Sequence, residues 1–429
     1  MNEYLFQFLW KNLLFNPSGL VTTDGESVTV IHAGRQNTNA GPDFLEAKLK
    51  IGNTIWAGNV ELHLRSSDWL RHNHSADPNY KNIILHVVYE EDETLADIAF
   101  PTLVLKHHLH KDIIVRYQNL MSIPDKVPCS QQLSSVPDIV WNNWLERLLA
   151  ERWDQRLEEW QSLWIQSAND WRTLLYYRLA ANFGFHVNRD AFLELALSLP
   201  LNVLVKHRKN LLQIEALLFG QADLLPTNYQ DEYTQQLEQE YHFLRRKYQL
   251  TPMVAHRWKF LRMRPQNFPT IRIAQFAMVV HKSLELFAQM MEIRTIKQFQ
   301  PMLAIQASEY WDTHCRFGAV AEDNVIKTLG KDAVYNIMIN TVAPMQYLYA
   351  RLQGKESLHE NSLALLQSLK AENNNVIRAW QNLGIEVKNA AQSQSLLQLY
   401  NNYCSMKNCL NCAVGNRLLR KPAATSGNV

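Results

Sequence analysis

The stretch NAGPDFLEAKLKIGNTIWAGNVELHLRSSDWLRHNHSADPNYKNIILH, residues 39–86, decides how the chain begins to fold. Leu45, Ala47, Leu49 and Ile51 alternate with Glu46, Lys48 and Lys50, the period of a strand buried on one face. Gly52-Asn53 supplies the turn into a second strand, so the segment reads as a β-hairpin with Asp43 at its open end. A three-residue loop, Gly52-Asn53-Thr54, sets Ile51 opposite Ile55, Asp43 opposite His63 and Leu45 opposite Glu61, with the polar groups on one face. A two-residue turn instead sets Asp43 opposite Leu62, on the other face, unless a bulge at Ala57-Gly58 restores the register.

Around this hairpin, ESVTVIH, NIILHVVYEED and FPTLVLK read as further strands, and the opening MNEYLFQFLWKNLLFN as an amphipathic helix. Glu3, Lys11 and the lack of a basic n-region distinguish that opening from a secretory leader. From Val136 onward the period changes: Trp141, Trp144, Leu145, Leu148 and Leu149 form one helical stripe, and similar stripes recur almost to Tyr403. The expected organisation is therefore an α/β domain over residues 1–125 and a mostly helical region over 126–420, with a tail at 421–429. The join falls in the Pro- and Ser-rich SIPDKVPCSQQLSSVP, and LLPTNYQDEY offers a further division of the helices near residue 225.

Of the 429 residues, 47% are hydrophobic and 20% charged, the balance of a folded chain. The net charge of +2 excludes a global polyanion surface, so any nucleic-acid site must be local. No uncharged apolar run of about 18 residues occurs, which argues against a membrane span. Five cysteines, three of them crowded near the end, suit thiolate ligands in the cytoplasm better than a secreted disulfide framework. The sequence is silent on oligomeric state.

Eight of the fifteen histidines lie within the first 110 residues, beside Asp43, Glu61, Asp68 and Asp77. Two carboxylates converging at a strand end, as Asp43 and Glu61 do if the register allows, supply hard oxygen ligands for Mg²⁺ or Mn²⁺, the apparatus of phosphodiester hydrolysis. Here the chain resembles the PD-(D/E)XK nuclease superfamily. Pro42-Asp43 matches its PD, Glu61-Leu62-His63 stands where its (D/E)XK tripeptide would be, and the order of elements agrees. The resemblance implies a restriction-endonuclease-like mixed sheet, with Asp43 and Glu61 holding the metal and His63 in the place of the lysine that positions water. That histidine is a departure, for which Lys48, Arg65 or Lys81 offers a displaced cation. The chain as a whole is also similar to a bacterial family known as a domain of unknown function. In that family GPDF, a VEIH-type strand, W-x2-H-x-H and an ILHVV strand recur together.

His72-x-His74 with Asp77 is a second candidate centre, for Zn²⁺ or Fe²⁺, to be completed by Glu61, His63 or His86. It fits neither H-x-H-x-D-H nor the cupin spacing. His86, inside an apolar strand, reads as a hydrogen-bonded core histidine. Cys404, Cys409 and Cys412 place three thiols within nine residues, with Cys129 as first choice of fourth ligand to Zn²⁺ or an iron–sulfur cluster and Cys315 or a histidine such as His314 as the others. Some PD-(D/E)XK nucleases tie a remote cysteine to a C-terminal three in a similar way. In RWKFLRMRPQNFPTIR, residues 257–272, Arg257, Lys259, Arg262 and Arg264 interleave with aromatics, a pattern for phosphates and stacked bases. Its alternative is a helix that buries the aromatics and solvates the cations. The leading expectation is a metal-dependent nuclease or a nuclease-derived nucleic-acid-binding protein. The alternatives are a non-catalytic scaffold of the same fold and a Zn/Fe hydrolase built on His72 and His74.

Overall fold

The computed structural model describes residues 1–95, 98–226, 231–282, 286–299, 304–321 and 324–420. These form two compact units, one of residues 1–144 with 399–429 and one of residues 145–398. The tail expected at 421–429 lies outside the described residues.

The first unit opens with α1 (Glu3–Lys11), capped by the Asn2 side chain, which accepts from the Leu5 N–H. Its strands are β1 (Val28–His32), β2 (Arg35–Gln36), β3 (Phe44–Ile51), β4 (Thr54–Arg65), β5 (Ile83–Glu90) and β6 (Thr102–Val104), with the short α2 (Asp68–Arg71) between β4 and β5. They form one mixed sheet in the order β1-β3-β4-β5-β6, with β2 beside β3. The β1, β3 and β4 pairings are antiparallel; those of β4 with β5 and β5 with β6 are parallel. Leu5, Phe6, Phe8, Leu9 and Trp10 of α1 are all buried. The continuous apolar run of β5 is buried from Ile83 to Val88, as befits a strand paired in parallel on both edges.

The hairpin takes the two-residue turn: Ile51 faces Thr54, correcting the three-residue loop that set Asp43 opposite His63. The register is then repaired by a bulge, but on β3 rather than at Ala57-Gly58. Ala47 faces Gly58 and Phe44 faces Val60, so Leu45 and Glu46 together oppose Asn59, and Glu46 takes a positive φ of 58°. Gly58 serves another need: a Cβ there would sit 2.4 Å from Ile84 Cγ2 on the neighbouring strand.

Beyond β6 come α3 (Lys111–Ser122) and a 3₁₀ turn over Ser130–Ser135. The C-terminal segment returns to this same unit. Lys407 Nζ donates to the carbonyls of Met121 and Ile123, and Arg116 Nε to that of Leu419. The terminal cysteines thus group with the sheet, where the sequence placed them with the helices.

The second unit is nearly all helical and has one continuous core. It contains most of α4 (Asp138–Gln166), then α5 (Trp171–Phe183) and α6 (Arg189–Ser198). The helices on either side of residue 225, Leu211–Gln221 and Glu232–Tyr248, belong to this single unit, and Gly220 lies directly on the Tyr241 ring. Among the described residues no helix is long and apolar enough to cross a membrane.

Candidate metal centre

The bulge in β3 brings Asp43 alongside Glu61. The Asp43 N–H donates to Glu61 Oε2 at 2.9 Å, and the Leu62 N–H donates to Asp43 Oδ2 at 3.1 Å. Gln7 Nε2, from α1, donates to Asp43 Oδ1 at 2.8 Å. Glu3 lies one turn earlier on the same helix face and adds its charge to both carboxylates. Burial raises Glu61 to about 9, reinforced by Asp43; burial likewise raises Asp43 to about 6 against the Leu62 N–H. Without a cation, Glu61 therefore carries a proton at neutral pH.

The histidines close on Glu61 from two directions. His63, two residues on in β4, shares its face and is 1% exposed. His72 caps the C-terminus of α2, and Asn73 then turns left-handed at φ 57°, a conformation asparagine tolerates, before His74 opens a 3₁₀ turn. That reversal lets both histidines face His63. One ligand nitrogen from each of His63, His72 and His74 can be chosen so that all lie within 4.8 Å of one another. Glu61 Oε1 sits 3.6 Å from His63 Nε2 and 3.5 Å from His74 Nε2. Two ligands of tetrahedral Zn²⁺, each at about 2.0–2.1 Å, lie about 3.4 Å apart, so the separations of Glu61 from His63 and His74 suit a shared ion better than a direct hydrogen bond, although Glu61 is not part of the three-histidine group.

The second layer holds the rings in place. His63 Nδ1 lies 2.9 Å from His86 Nε2, so the expected core histidine is hydrogen-bonded, and to a prospective ligand. Tyr80 packs on His74 with ring centroids 4.0 Å apart, and Trp69 Nε1 donates to Ser75 Oγ. Burial lowers His63 to about 2 and His86 to about 4, and pushes His74 down as well, so the imidazoles are neutral and able to ligate. His74 Nε2 is buried with no hydrogen-bond partner among the described residues. His72 is exposed and forms the open side.

The two centres separated in the sequence reading thus share Glu61. Lys48, Arg65 and Lys81, the offered substitutes for the missing lysine, are all exposed; Arg71, paired with Asp68, is the cation that acts on His63. Asp77 caps a 3₁₀ turn through the Asn79 N–H. Sequence reasoning missed Glu3, Gln7 and Tyr80, although the four-residue spacing of Glu3 and Gln7 on an amphipathic helix was a readable signal.

Cys129, Cys404, Cys409 and Cys412 are all buried and reduced. Burial raises the Cys129 thiol to about 12, with Cys412 and Cys409 adding to the effect, and lifts Cys404 further, with the other three contributing. The four are near enough to act on one another's ionisation, but among the described residues no three of them bring their sulfurs within 4.8 Å of one another. Gly415 makes the turn possible, since a Cβ there would meet the Cys409 carbonyl oxygen at 2.2 Å. Cys315 and His314 sit instead in a short strand of the helical unit.

The basic aromatic stretch is not a single helix but two 3₁₀ turns, Ala255–Arg257 and Pro265–Asn267, followed by a helix from Pro269. Trp258 is buried and donates to the Ala222 carbonyl, while Arg316 covers the rings of Phe260 and Phe268. Arg257 pairs with Glu194. Arg262 and Arg264 line a cavity of about 660 Å³, and the Lys259 backbone exchanges hydrogen bonds with Asn188.

The chain belongs to the family described as protein of unknown function (DUF2851), whose family model matches residues 3–375. That span includes the histidine–carboxylate centre and Cys129. Neither a curated protein nor a solved structure matches the chain.

Proposed function

We propose that this protein is a metal-dependent phosphodiesterase of nuclease type, whose ion is held by Glu61, His63, His72 and His74 with Asp43 beside it. The observation that carries this reading is the position of Glu61 Oε1, 3.5–3.6 Å from two histidine nitrogens of a three-histidine cluster. The imidazole-rich donor set favours Zn²⁺, Fe²⁺ or Mn²⁺ over Mg²⁺. Held by four protein groups, such an ion would need a fifth coordination position, where it would polarise a phosphoryl oxygen or acidify a water. Asp43, which accepts from Gln7 and the Leu62 N–H, has lone pairs left that would take the proton from an attacking water. The choice of a phosphodiester rests on the order of elements: a helix, antiparallel strands with Asp43 immediately before β3 and Glu61 on β4, a short helix, and a parallel strand, with the two-residue β2 added between β1 and β3. Apart from β2, that is the order the PD-(D/E)XK resemblance implies.

The test is metal analysis of the full chain with assays on single- and double-stranded DNA and RNA in each divalent ion. Stoichiometric transition metal and cleavage are expected, with Glu61→Gln losing about 10³-fold or more in rate, as loss of a ligand to the reacting ion implies. Cleavage that survives in folded Glu61→Gln and in the His72→Ala/His74→Ala double variant would sink the assignment. Metal binding with no cleavage of any substrate would leave the scaffold reading instead.

The four buried cysteines form part of the same proposal as a structural centre for Zn²⁺ or an iron–sulfur cluster. Four buried thiols that oppose one another's ionisation are a donor set that a bound cation would draw together and convert to thiolates. Iron and sulfide analysis with a visible spectrum distinguishes the two metals, and an absence of both in protein purified without oxygen would remove the centre.

A further inference from the structure

The helical unit contains a cavity of about 450 Å³ into which four arginines converge. Arg152 and Arg156 come from α4, Arg178 from α5, and Arg189 from the start of α6. Their hydrogen bonds go to neutral amides: Arg152 Nε donates to Gln394 Oε1 at 2.7 Å, and Arg156 donates to Asn340 Oδ1 at 2.7 Å. Arg178 is 8% exposed, stacks on Trp160 at 4.4 Å, and its buried Nε has no hydrogen-bond partner among the described residues. Two carboxylates, Glu159 and Asp190, also line the space, and Glu372 lies close enough to act on Arg152 and Arg156. The nearby groups still leave the cations in excess.

Buried guanidinium groups are normally paired with carboxylates, because desolvating a charge without compensation is costly. Here burial, with Arg152 and Arg178 next, pulls Arg156 down to about 9; burial and Arg189 do the same to Arg178. Backbone irregularity marks the same place. The helix carrying Asn340 widens into a π-helical turn over Met338–Val342, a feature frequent at functional sites, and Asn182 holds that turn by donating to Thr341 Oγ1 at 2.9 Å. A cluster of like charges, an orphaned buried donor and an open polar cavity are what an anion site requires before its anion arrives.

We infer that this cavity binds an anion bearing two or more phosphate groups, such as the polyphosphate end of a nucleotide. Arginine forks match phosphate oxygens bidentately, and several converging forks suit adjacent phosphates better than a single carboxylate. The chemistry is shared by a free nucleotide and by the backbone of a nucleic-acid strand, and the experiment separates these sources. It is independent of the metal centre, since every lining residue lies in residues 145–398.

Calorimetric titration of the full chain, in a chelating buffer that silences the metal centre, uses pyrophosphate, adenosine triphosphate and a single-stranded oligonucleotide in turn. Saturable binding of pyrophosphate or the triphosphate is expected, weakened tenfold or more in Arg178→Gln and unchanged in Lys388→Gln, an exposed cation paired with Glu386. Tighter binding of the oligonucleotide, with the same loss in Arg178→Gln, would assign the cavity to strand phosphates. Thermal unfolding without ligand serves as the folding control: a site that crowds like charges for binding predicts Arg178→Gln at or above the wild-type melting temperature. The inference is overturned if the wild type shows no saturable heat with any probe at millimolar concentration. It is equally overturned if Arg178→Gln binds as well as the wild type, or melts lower while retaining binding.

Discussion

The sheet centre and the arginine cavity are electrostatic opposites. In the first unit Glu3, Asp43 and Glu61 gather with neutral histidines, and burial raises all three carboxyls, Glu61 the furthest, to about 9. In the second, arginines gather and burial makes their charge hard to keep. One region is short of a cation and the other of an anion. The contrast shows how a fold can hold unfavourable polar clusters that a ligand of the opposite sign would relieve, at a cost in ligand-free stability.

The largest break in this comparison comes from supplying the cation. Zn²⁺ or Mn²⁺ at about 1,000 times its dissociation constant stabilises the native state by about 4 kcal/mol, and none of that gain is expected in the His72→Ala/His74→Ala variant. The ion must displace the Glu61 proton, so binding at pH 7 should release about one proton and tighten as pH rises. Calorimetry in buffers of different ionisation enthalpy measures that release. Zero release with undiminished affinity would mean that Glu61 is already ionised at pH 7, and equal affinity in Glu61→Gln that it is not a ligand.

Next in size is the strand geometry that assembles the centre. Gly58→Ala drives a Cβ to 2.4 Å from Ile84 Cγ2 and 2.9 Å from the Asn82 carbonyl, at a cost of about 1–3 kcal/mol, and it loosens the β4–β5 pairing beneath Glu61 and His63. Denaturant unfolding reads the loss, and metal affinity should fall with it. A variant as stable as the wild type would show that these strands can part without harm. The cavity in the helical unit should be unaffected in pyrophosphate binding.

These two regions also differ in how far the sequence revealed them. Asp43, Glu61, His63, His72 and His74 fall within 32 consecutive residues, so strand alternation and a short excursion were enough to bring them into view. What was hidden was the bulge at Leu45–Glu46, because nothing in FLEAKLKI marks Glu46 as the residue that turns left-handed. The alternatives at the hairpin depended on a one-residue slip, and a slip exchanges the faces. Glu3 and Gln7 were hidden because helix docking, not local pattern, brings them to Asp43. The cavity arginines span residues 152–189 on three helices, each with its own amphipathic excuse for a charge, and only packing shows that they point into one space. Mixed sheet followed by helices was legible from the change of period alone.

A smaller effect is the pH profile of the metal-free protein. Glu61 moves from near 4.5 in the unfolded chain to about 9 in the folded one, so the folded state holds the extra proton in that range and stability falls as pH rises. The depressed histidines act oppositely, adding stability as pH rises toward 6.5, the value they take when unfolded. Above pH 6.5 only the carboxyl contribution remains. Stability of the chelated protein should therefore decline between pH 6.5 and 9, by on the order of 1 kcal/mol per pH unit, and Glu61→Gln should flatten the decline. A flat wild-type profile would place Glu61 in water.

The smallest effect expected is at Arg257, and its smallness is informative. Its ion pair with Glu194 at 2.6 Å joins two partly exposed side chains, and such pairs contribute about 0–1 kcal/mol. Trp258 beside it is already committed to the core, leaving that ring unavailable to a base. Arg257→Ala should shift the unfolding midpoint by less than about 0.5 kcal/mol and leave oligonucleotide affinity within a factor of two, whereas Arg262→Ala/Arg264→Ala, at the rim of their own cavity, tests the rest of the stretch. A loss of nucleic-acid binding in Arg257→Ala larger than in the Arg262/Arg264 pair would move the strand path to the outer edge of the helical unit. Comparable losses in both variants would support the sequence-based reading of residues 257–264 as one continuous phosphate-binding stretch.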